Sequence, residues 1–489
     1  MKPEVAAIIP TVNDDIKIVS GGYDLETADQ GPFFWLGESV EIEVISSGGL
    51  MTLGGWSPLG GKVKITTPQV SFDVGLNREE DTELVIPIGP ADGKQRVLIE
   101  FQQSLDIESD SRSLSFKAYC LSWQELQSPR EKEVSATPLF ESRGLLSGQV
   151  ATVFSAGWLR MSVQRLDDDK LRISGILVTP SWRKEVAVLT ANGEPLQEVE
   201  YGLFNPDYAF VGNVAFEGTV NLKLYADTDH IRFGSQYPMD GSIATPWYQD
   251  WFYPIRNSSL PLPKGENMRR IGSSEADWFL FSGASFVGKL ADIFHQFSGS
   301  DSLKEISVLD WGCGCGRLTR QLIDEDYGDV AGIDIDPVNI EWCTANLPGA
   351  SFSLVGPDLP TELLAENFDL IIGHSVFTHL TELDQFMWLA EINRLLKPGG
   401  LALVTVMANY STAIEPFSPV GYTSLMNDGF LDVGWQEDGV DSQKPGFYRR
   451  IFHTSDYINK HWTNSLEVVS IQDGYSDHQT AVVLRKRKK

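Results

Sequence analysis

Residues 306–340 read ISVLDWGCGCGRLTRQLIDEDYGDVAGIDIDPVNI. The apolar run from Ile306 to Asp310 has the length of a buried strand. Gly312, Gly314 and Gly316 then alternate through a turn, Leu318, Leu322 and Ile323 mark the buried side of a helix, and a second apolar run closes at Asp334. Strand, glycine turn, helix and strand predict a βαβ unit with a nucleoside crevice at its strand ends. Glycine carries no Cβ, so a ligand can lie directly against the N–H groups of such a turn. Asp334 stands 18 residues beyond Gly316, where a carboxylate can accept hydrogen bonds from both hydroxyls of a ribose. The predicted ligand is of the adenosine type; taken alone, the pattern also fits a dinucleotide site.

The residues downstream of this unit separate the two readings. FDLIIGHSVFTHL (368–380) reads as a strand running into a short active-site loop, and TELDQFMWLAEINRLLKPGGLALVTVM (381–407) as a helix, a Lys-Pro-Gly-Gly turn and another strand. SFSLV (351–355), LEVVSI (466–471) and TAVVLR (480–485) complete seven strands, the last two joined by a loop long enough to reverse direction. A dinucleotide dehydrogenase would continue with a second βαβαβ half. The succession of D-x-G-x-G-x-G, G-x-D, FDLI and LKPGG before a strand closely resembles the class I S-adenosylmethionine-dependent methyltransferases, over about residues 265–489. The resemblance implies an α/β Rossmann-like domain, S-adenosyl-L-methionine as cofactor and a set of site residues. Asp310 is expected near the cofactor's amino group, Gly312, Gly314 and Gly316 against its methionine part, and Asp334 on the ribose. Ile335 is expected on one adenine face and Asp358 near the adenine amino group, with Ser375 also at the cofactor and Arg270 at its carboxylate.

Upstream, SSEADWFLFSGASFVGKLADIFHQF (273–297) predicts one helix capped by Ser273 or Ser274, with Phe286, Leu290, Ile293 or Phe294, and Phe297 on its apolar face. Residues 408–465 form an insertion ending in GFYRRIFHTSDYINKHW (446–462), placed to close over an acceptor. Methyl transfer from a sulfonium has an excellent leaving group, so alignment lowers most of the barrier. A hydroxyl acceptor also needs a base. His379 is the first candidate and His453, with Tyr448 and Tyr457 nearby, the second; an amine or acid acceptor requires neither.

The 489 residues exceed one ordinary core, and 42% apolar with 22% charged residues is a globular composition. Residues 1–140 carry short alternating runs such as GKVKITTP, VSFDVGL and QRVLIEFQQSL, which predict a β-sandwich-like domain; residues 148–250 predict a second β-rich domain with a hairpin turn at Asn192-Gly193. Trp247 to Ser274 reads as a linker ordered against the catalytic domain by its aromatics and prolines. Both β-regions resemble accessory domains of bacterial surface-glycan enzymes. That resemblance implies O-methylation of a sugar or glycan intermediate. Its rivals are small-molecule methylation in secondary metabolism, and a carbohydrate-binding or assembly protein with a non-catalytic methyltransferase domain. A net charge of −28 opposes a nucleic-acid partner. The basic end RKRKK (485–489) is a solvated tail or a weak anionic-lipid contact. The four cysteines lack metal-ligand spacing, and no metal is expected. No apolar run is of membrane-spanning length and no signal-peptide pattern opens the sequence, so the expected location is the cytoplasm.

Overall fold

The computed structural model describes residues 16–22, 26–28, 31–45, 49–76, 78, 82–89, 94–106, 113–125, 157–179, 183, 185–205, 214–256, 258–272, 275–299, 303–356, 359–415, 417, 419–435 and 449–488. No helix among these is long and apolar enough to cross a membrane. Asp358 lies outside the described residues.

The first β-region forms a nine-stranded antiparallel sheet among the described residues. Strict alternation builds its strands: Lys94–Phe101 buries Gln95, Val97, Ile99 and Phe101 while exposing Lys94, Arg96 and Glu100. The long strand Gly31–Ile45 pairs with Lys94–Phe101 through residues 39–45 and with Phe116–Glu125 through residues 34–36. One strand therefore passes the ladder from one half to the other, and the expected sandwich is a single continuous sheet around a shared core. Gly49–Trp56, absent from the alternating runs, is buried along most of its length and so shows no alternation.

The second β-region has two four-stranded sheets. One runs Trp158–Arg165, Lys170–Val178, Ala215–Asn221, Val199–Leu203, and the other Glu194–Pro195, Val188–Ala191, His230–Gln236, Trp251–Pro254. Residues of both sheets share one core, including Leu159, Ile173, Leu189 and Ile231. Asn192 and Gly193 turn with φ of +51° and +86°, the left-handed pair that a two-residue hairpin favours. Trp251–Pro254 pairs with His230–Gln236, so this region extends past the expected boundary at 250, and part of the expected linker is a strand.

The third region holds the seven-stranded sheet: β1 (Ser307–Trp311), β2 (Asp329–Asp334), β3 (Ala350–Leu354), β4 (Phe368–Gly373), β5 (Leu396–Val406), β6 (Glu467–Ser476) and β7 (Gln479–Arg485), in the order β3-β2-β1-β4-β5-β7-β6. Strands β1 to β5 pair in parallel, and β7 enters antiparallel between β5 and β6. The expected single helix over 273–297 is two, α1 (Ala276–Val287) and α2 (Leu290–Ser298). The break lies at Gly288, where a Cβ would meet the Phe252 ring at 2.7 Å, and at Lys289, which turns inward with its amino group on the Tyr475 carbonyl. Ser273 and Ser274 lie outside the described residues, and Glu275 takes the cap position with no side-chain cap bond. Helices α3 (Thr319–Asp324) and α4 (Pro337–Asn346) follow β1 and β2. Helix α5 (Glu382–Leu395) follows β4 and starts on Thr381, whose hydroxyl accepts from Asp384 N at 3.2 Å.

Both β-regions dock on this third region. Asn393 of α5 donates to the Asp73 carbonyl at 3.1 Å, and Phe386, Met387 and Trp388 join the core of the first region. On the other side Gln249 is fully buried and four-fold bonded: it accepts from Leu159 N and donates to Gly157 O, Tyr410 Oη and Asp473 O at 3.0–3.3 Å.

Candidate active site

A cavity of about 370 Å³ opens at the carboxyl ends of β1, β2 and β4, where an open parallel sheet places its ligands. One half is made by the stretch from Asp310 to Asn339. Gly312, Gly314 and Gly316 all have positive φ, +74°, +51° and +79°. A Cβ at each would strike Val376, Ile271 and Leu347 respectively, at 2.5 Å or less. Only glycine satisfies both the backbone and the space there. The turn is pinned by Gly312 N and Cys313 N donating to Ile333 O, and by Gly314 N donating to Asp334 Oδ2 at 2.7 Å.

Asp334 also accepts from Asp336 N at 2.8 Å, so two backbone donors fix its carboxylate at the end of β2 while burial raises its pKa. Asp310 is almost wholly buried and accepts from Thr319 Oγ1 at 2.6 Å. Burial, with the Asp334 charge adding and the Thr319 bond opposing, pushes its carboxyl up to about 6. Ile335 and Asn339 line the same half. Arg270 lines it too, but its guanidinium is paired with Asp336 at 2.6 and 3.0 Å, both side chains being buried. Arg270, expected at a cofactor carboxylate, thus lines the cavity while bonded to Asp336, two residues beyond Asp334. The close-packed glycine turn at the strand ends and the two carboxylates beside the cavity fit S-adenosylmethionine.

The other half comes from distant segments. Trp278 and Ser282 reach it from α1, Trp251 from the second β-region, His374, Ser375 and His379 from beyond β4, and Ser476 to Gln479 from the β6–β7 turn. Ser375, expected at the cofactor, lines the cavity and is held by the framework: its N donates to Thr405 Oγ1 at 2.8 Å and its hydroxyl accepts from Gln479 Nε2 at 2.8 Å. His379 Nδ1 lies 2.7 Å from Arg449 O and must donate to it, which leaves Nε2 as an acceptor. Burial, with Arg450 adding, lowers its pKa, while the bond to Arg449 O opposes.

His453 is a correction. It lies away from the cavity, 1% exposed among Phe430, Tyr457 and Trp462, with Nε2 on Gln385 Oε1 at 2.8 Å. Burial holds its pKa down to about 3, so it packs as a neutral core residue. Tyr457 bonds Glu382, and Tyr448 lies outside the described residues.

The sequence reading passed over His374, although it directly follows FDLIIG. Its Nδ1 accepts from Arg317 Nη2 at 2.6 Å, so the proton sits on Nε2 and is donated to Ser476 Oγ at 2.7 Å. Arg317, Trp251, Asp477 and His478 were also missed. For the last two, S-D-H-Q between strands was the available signal, a two-residue hairpin closing on a crevice. Cys313, Cys315 and Cys343 are free and buried, and among the described residues no cluster of His, Cys, Asp or Glu is placed to hold a metal ion.

Residues 308–400 match the family model described as a methyltransferase domain. Among curated proteins, the chain is similar to a probable thiol methyltransferase 2 of Arabidopsis thaliana, 31% identical over 140 residues, which is 28% of this chain and 61% of that protein. It is also similar to a 2-methyl-6-phytyl-1,4-hydroquinone methyltransferase of Synechocystis sp., 31% identical over 131 residues, 26% of this chain and 39% of that one. The chain thus spans less than two thirds of the length of these relatives. Of solved structures, a SAM-dependent methyltransferase from Methanosarcina mazei is similar at 15% identity and a TM-score of 0.32, covering 40% of this chain and 98% of that one. A Burkholderia thailandensis 1,6-didemethyltoxoflavin-N1-methyltransferase with bound S-adenosylhomocysteine is similar at 14% identity and a TM-score of 0.31, covering 49% and 96%. The chain carries a methyltransferase domain, and the methyl donor of that domain is S-adenosylmethionine.

Proposed function

We propose that this chain transfers a methyl group from S-adenosylmethionine to a hydroxyl of a small polar acceptor, a sugar or glycan intermediate. The observation that carries this reading is the continuity of one cavity, with Asp310, the glycine turn and Asp334 at one end and Trp251, Trp278, Asp477 and His478 at the other. Indole faces suit the apolar side of a sugar ring, and carboxylate and imidazole suit its hydroxyls.

When bound, S-adenosylmethionine supplies an electrophilic methyl group on a sulfonium. The protein's part is to hold and align. Asp334 would take the ribose hydroxyls, Asp310 the amino group, and Gly312 to Gly316 the methionine backbone. His379 Nε2 can accept a hydrogen bond from the acceptor. Burial and the nearby Arg450 both work against a proton on His379, so orientation suits this residue better than proton storage.

A second reading, methylation of a non-carbohydrate small molecule, is favoured by the relatives, one named for a thiol and one for a hydroquinone. The test is calorimetric titration with S-adenosylhomocysteine, then labelled-methyl transfer to methyl glycosides, sugar nucleotides, catechols and alkyl thiols. Label in the glycosides or sugar nucleotides supports the sugar reading; label confined to catechols or thiols supports the second; no binding of S-adenosylhomocysteine overturns both.

A further inference from the structure

The β6–β7 turn is built more firmly than a connection needs. Asp477 occupies the left-handed region at φ +59°, which is costly for a residue with a side chain, and His478 follows it in a two-residue turn closed by the Ser476–Gln479 pair. Three neighbours hold this turn. Trp158 Nε1 of the second β-region donates to the Asp477 carbonyl at 3.2 Å, and Ser411 Oγ donates to the His478 carbonyl at 2.9 Å. Arg160, on the same strand as Trp158, pairs with Asp477 Oδ1 at 2.5 Å.

The other carboxylate oxygen, Asp477 Oδ2, lies 3.2 Å from His478 Nδ1. A carboxylate only accepts, so Nδ1 carries the proton and Nε2 keeps its lone pair. No hydrogen bond to Nε2 appears among the described residues, and the His478 side chain lines the cavity at 31% exposure. We propose that His478 is the general base that takes the proton of the acceptor hydroxyl, with Asp477 as its orienting carboxylate and Arg160 of the second β-region as the positioning residue. This rests on the methyltransferase reading of the cavity.

The step balances without a further reactant. The acceptor O–H proton passes to His478 Nε2 as oxygen bonds to the methyl carbon; the carbon–sulfur bond breaks, its electron pair neutralises the sulfonium, and the imidazolium returns its proton to water. The setting separates His478 from the other two histidines of the cavity. His374 has Nδ1 committed to Arg317, and His379 donates to a neutral carbonyl. His478 has its Nδ1 on the Asp477 carboxylate, which fixes the ring with Nε2 turned to the cavity. The charged and titratable groups around it are Asp477 on its own hairpin, Arg160 on the strand packed beneath, and His374 with Arg317 across the cavity. Burial works to raise the Asp477 carboxyl, but the His478 bond and the Arg160 charge outweigh it and hold it below its ordinary value. The second β-region is then part of the reacting apparatus.

The test uses the full chain with three variants, His478→Gln, Asp477→Asn and Arg160→Gln. Nitrogen-15 NMR of imidazole-labelled protein saturated with S-adenosylhomocysteine reads the tautomer directly. The expected spectrum shows His478 protonated at Nδ1, with Asp477→Asn weakening that tautomer preference and Arg160→Gln, by releasing the Asp477 side chain, weakening it less. A signal protonated at Nε2 and indifferent to both variants overturns the proposal.

Kinetics supply the second readout, with methyl glycosides as hydroxyl probes and 1-thioglucose as a probe whose thiol ionises near about pH 8.5 unaided. His478→Gln should lose about 100-fold or more in kcat toward the hydroxyl probe, the usual scale of a general base, together with the acidic limb of the pH profile. It should lose far less toward the thiol, and Arg160→Gln should fall between. Equal losses toward both probes, a retained acidic limb, or no transfer to any hydroxyl probe overturns the base assignment. Failure of the wild-type chain to bind S-adenosylhomocysteine overturns the reading beneath it instead.

Discussion

At the scale of single residues, the two carboxylates of the cofactor half differ in what their removal should do. Asp334 holds two backbone N–H groups and, in the proposed function, the ribose hydroxyls. Asp334→Ala should weaken S-adenosylhomocysteine binding by about 100-fold, since hydrogen bonds to a charged group contribute about 1.5–3 kcal/mol each. Calorimetry checks it, and undiminished affinity would remove Asp334 from the site. Asp310, with its carboxyl near 6, gives a pH dependence of definite sign. A carboxyl raised on folding contributes stability below its unfolded pKa that is lost as pH rises through about 6. The free protein should therefore gain stability at pH 7 on Asp310→Asn. Binding runs the other way: the ionised form attracts the ligand's ammonium, so affinity should fall about tenfold from pH 7 to pH 5 in the wild type and stay flat in the variant. Calorimetry at the two pH values, with urea melts of the free proteins, reads both signs. Asp310, the three glycines and Asp334 were legible because one short stretch carries them at fixed spacing. His374, Arg317, Trp251 and the Asp477–His478 turn were not, because they meet only when four separate segments fold together. His453 misled because a place in the insertion near two tyrosines does not tell which way a side chain faces; it ends the strand Arg449–His453 and points into the core.

At the scale of elements, the seven strands of the third region were legible as apolar runs between turns, and the helix before them was not legible in its break. Periodicity carries across Gly288 and Lys289, and the sequence does not reveal that Lys289 must point inward. Its amino group lies 4.3 Å from the Tyr475 ring, and burial lowers its pKa to about 7, Asp250 opposing and Arg232 adding. An amine lowered on folding loses stability as pH falls from the ordinary lysine range toward about 7. Lys289→Met should accordingly gain on the wild type as pH drops from about 10 to 7 in urea melts. A constant difference between the two proteins at both pH values would show that Lys289 keeps its ordinary pKa, and so its charge, in the folded protein. Two of the missed strands share one cause. Gly49–Trp56 and Trp251–Pro254 are buried along most of their length, and without alternation a short run gives no strand signal.

At the scale of the whole molecule, the two β-regions are docked by different means. The first merges its apolar core with α5, whereas the second adds the buried polar knot at Gln249 to apolar contacts with Phe281, Tyr410 and Ala413. Gln249→Ala leaves Leu159 N and Asp473 O without their partner and should cost about 2–4 kcal/mol. The same change should loosen Arg160 and Trp251 at the cavity, so transfer should suffer more than S-adenosylhomocysteine binding; equal losses would argue against coupling between the second region and the acceptor. The strand order adds a consequence for how such a chain is made. β7 lies between β5 and β6 although it comes after both in the chain. On the ribosome, β5 and β6 therefore emerge with open edges facing a gap, and the piece that fills it comes afterwards. Until it inserts, the growing chain has its nucleotide cradle but no finished floor for the acceptor. A chain stalled there is a nucleotide binder with two sticky edges, the species that quality control has to recognise.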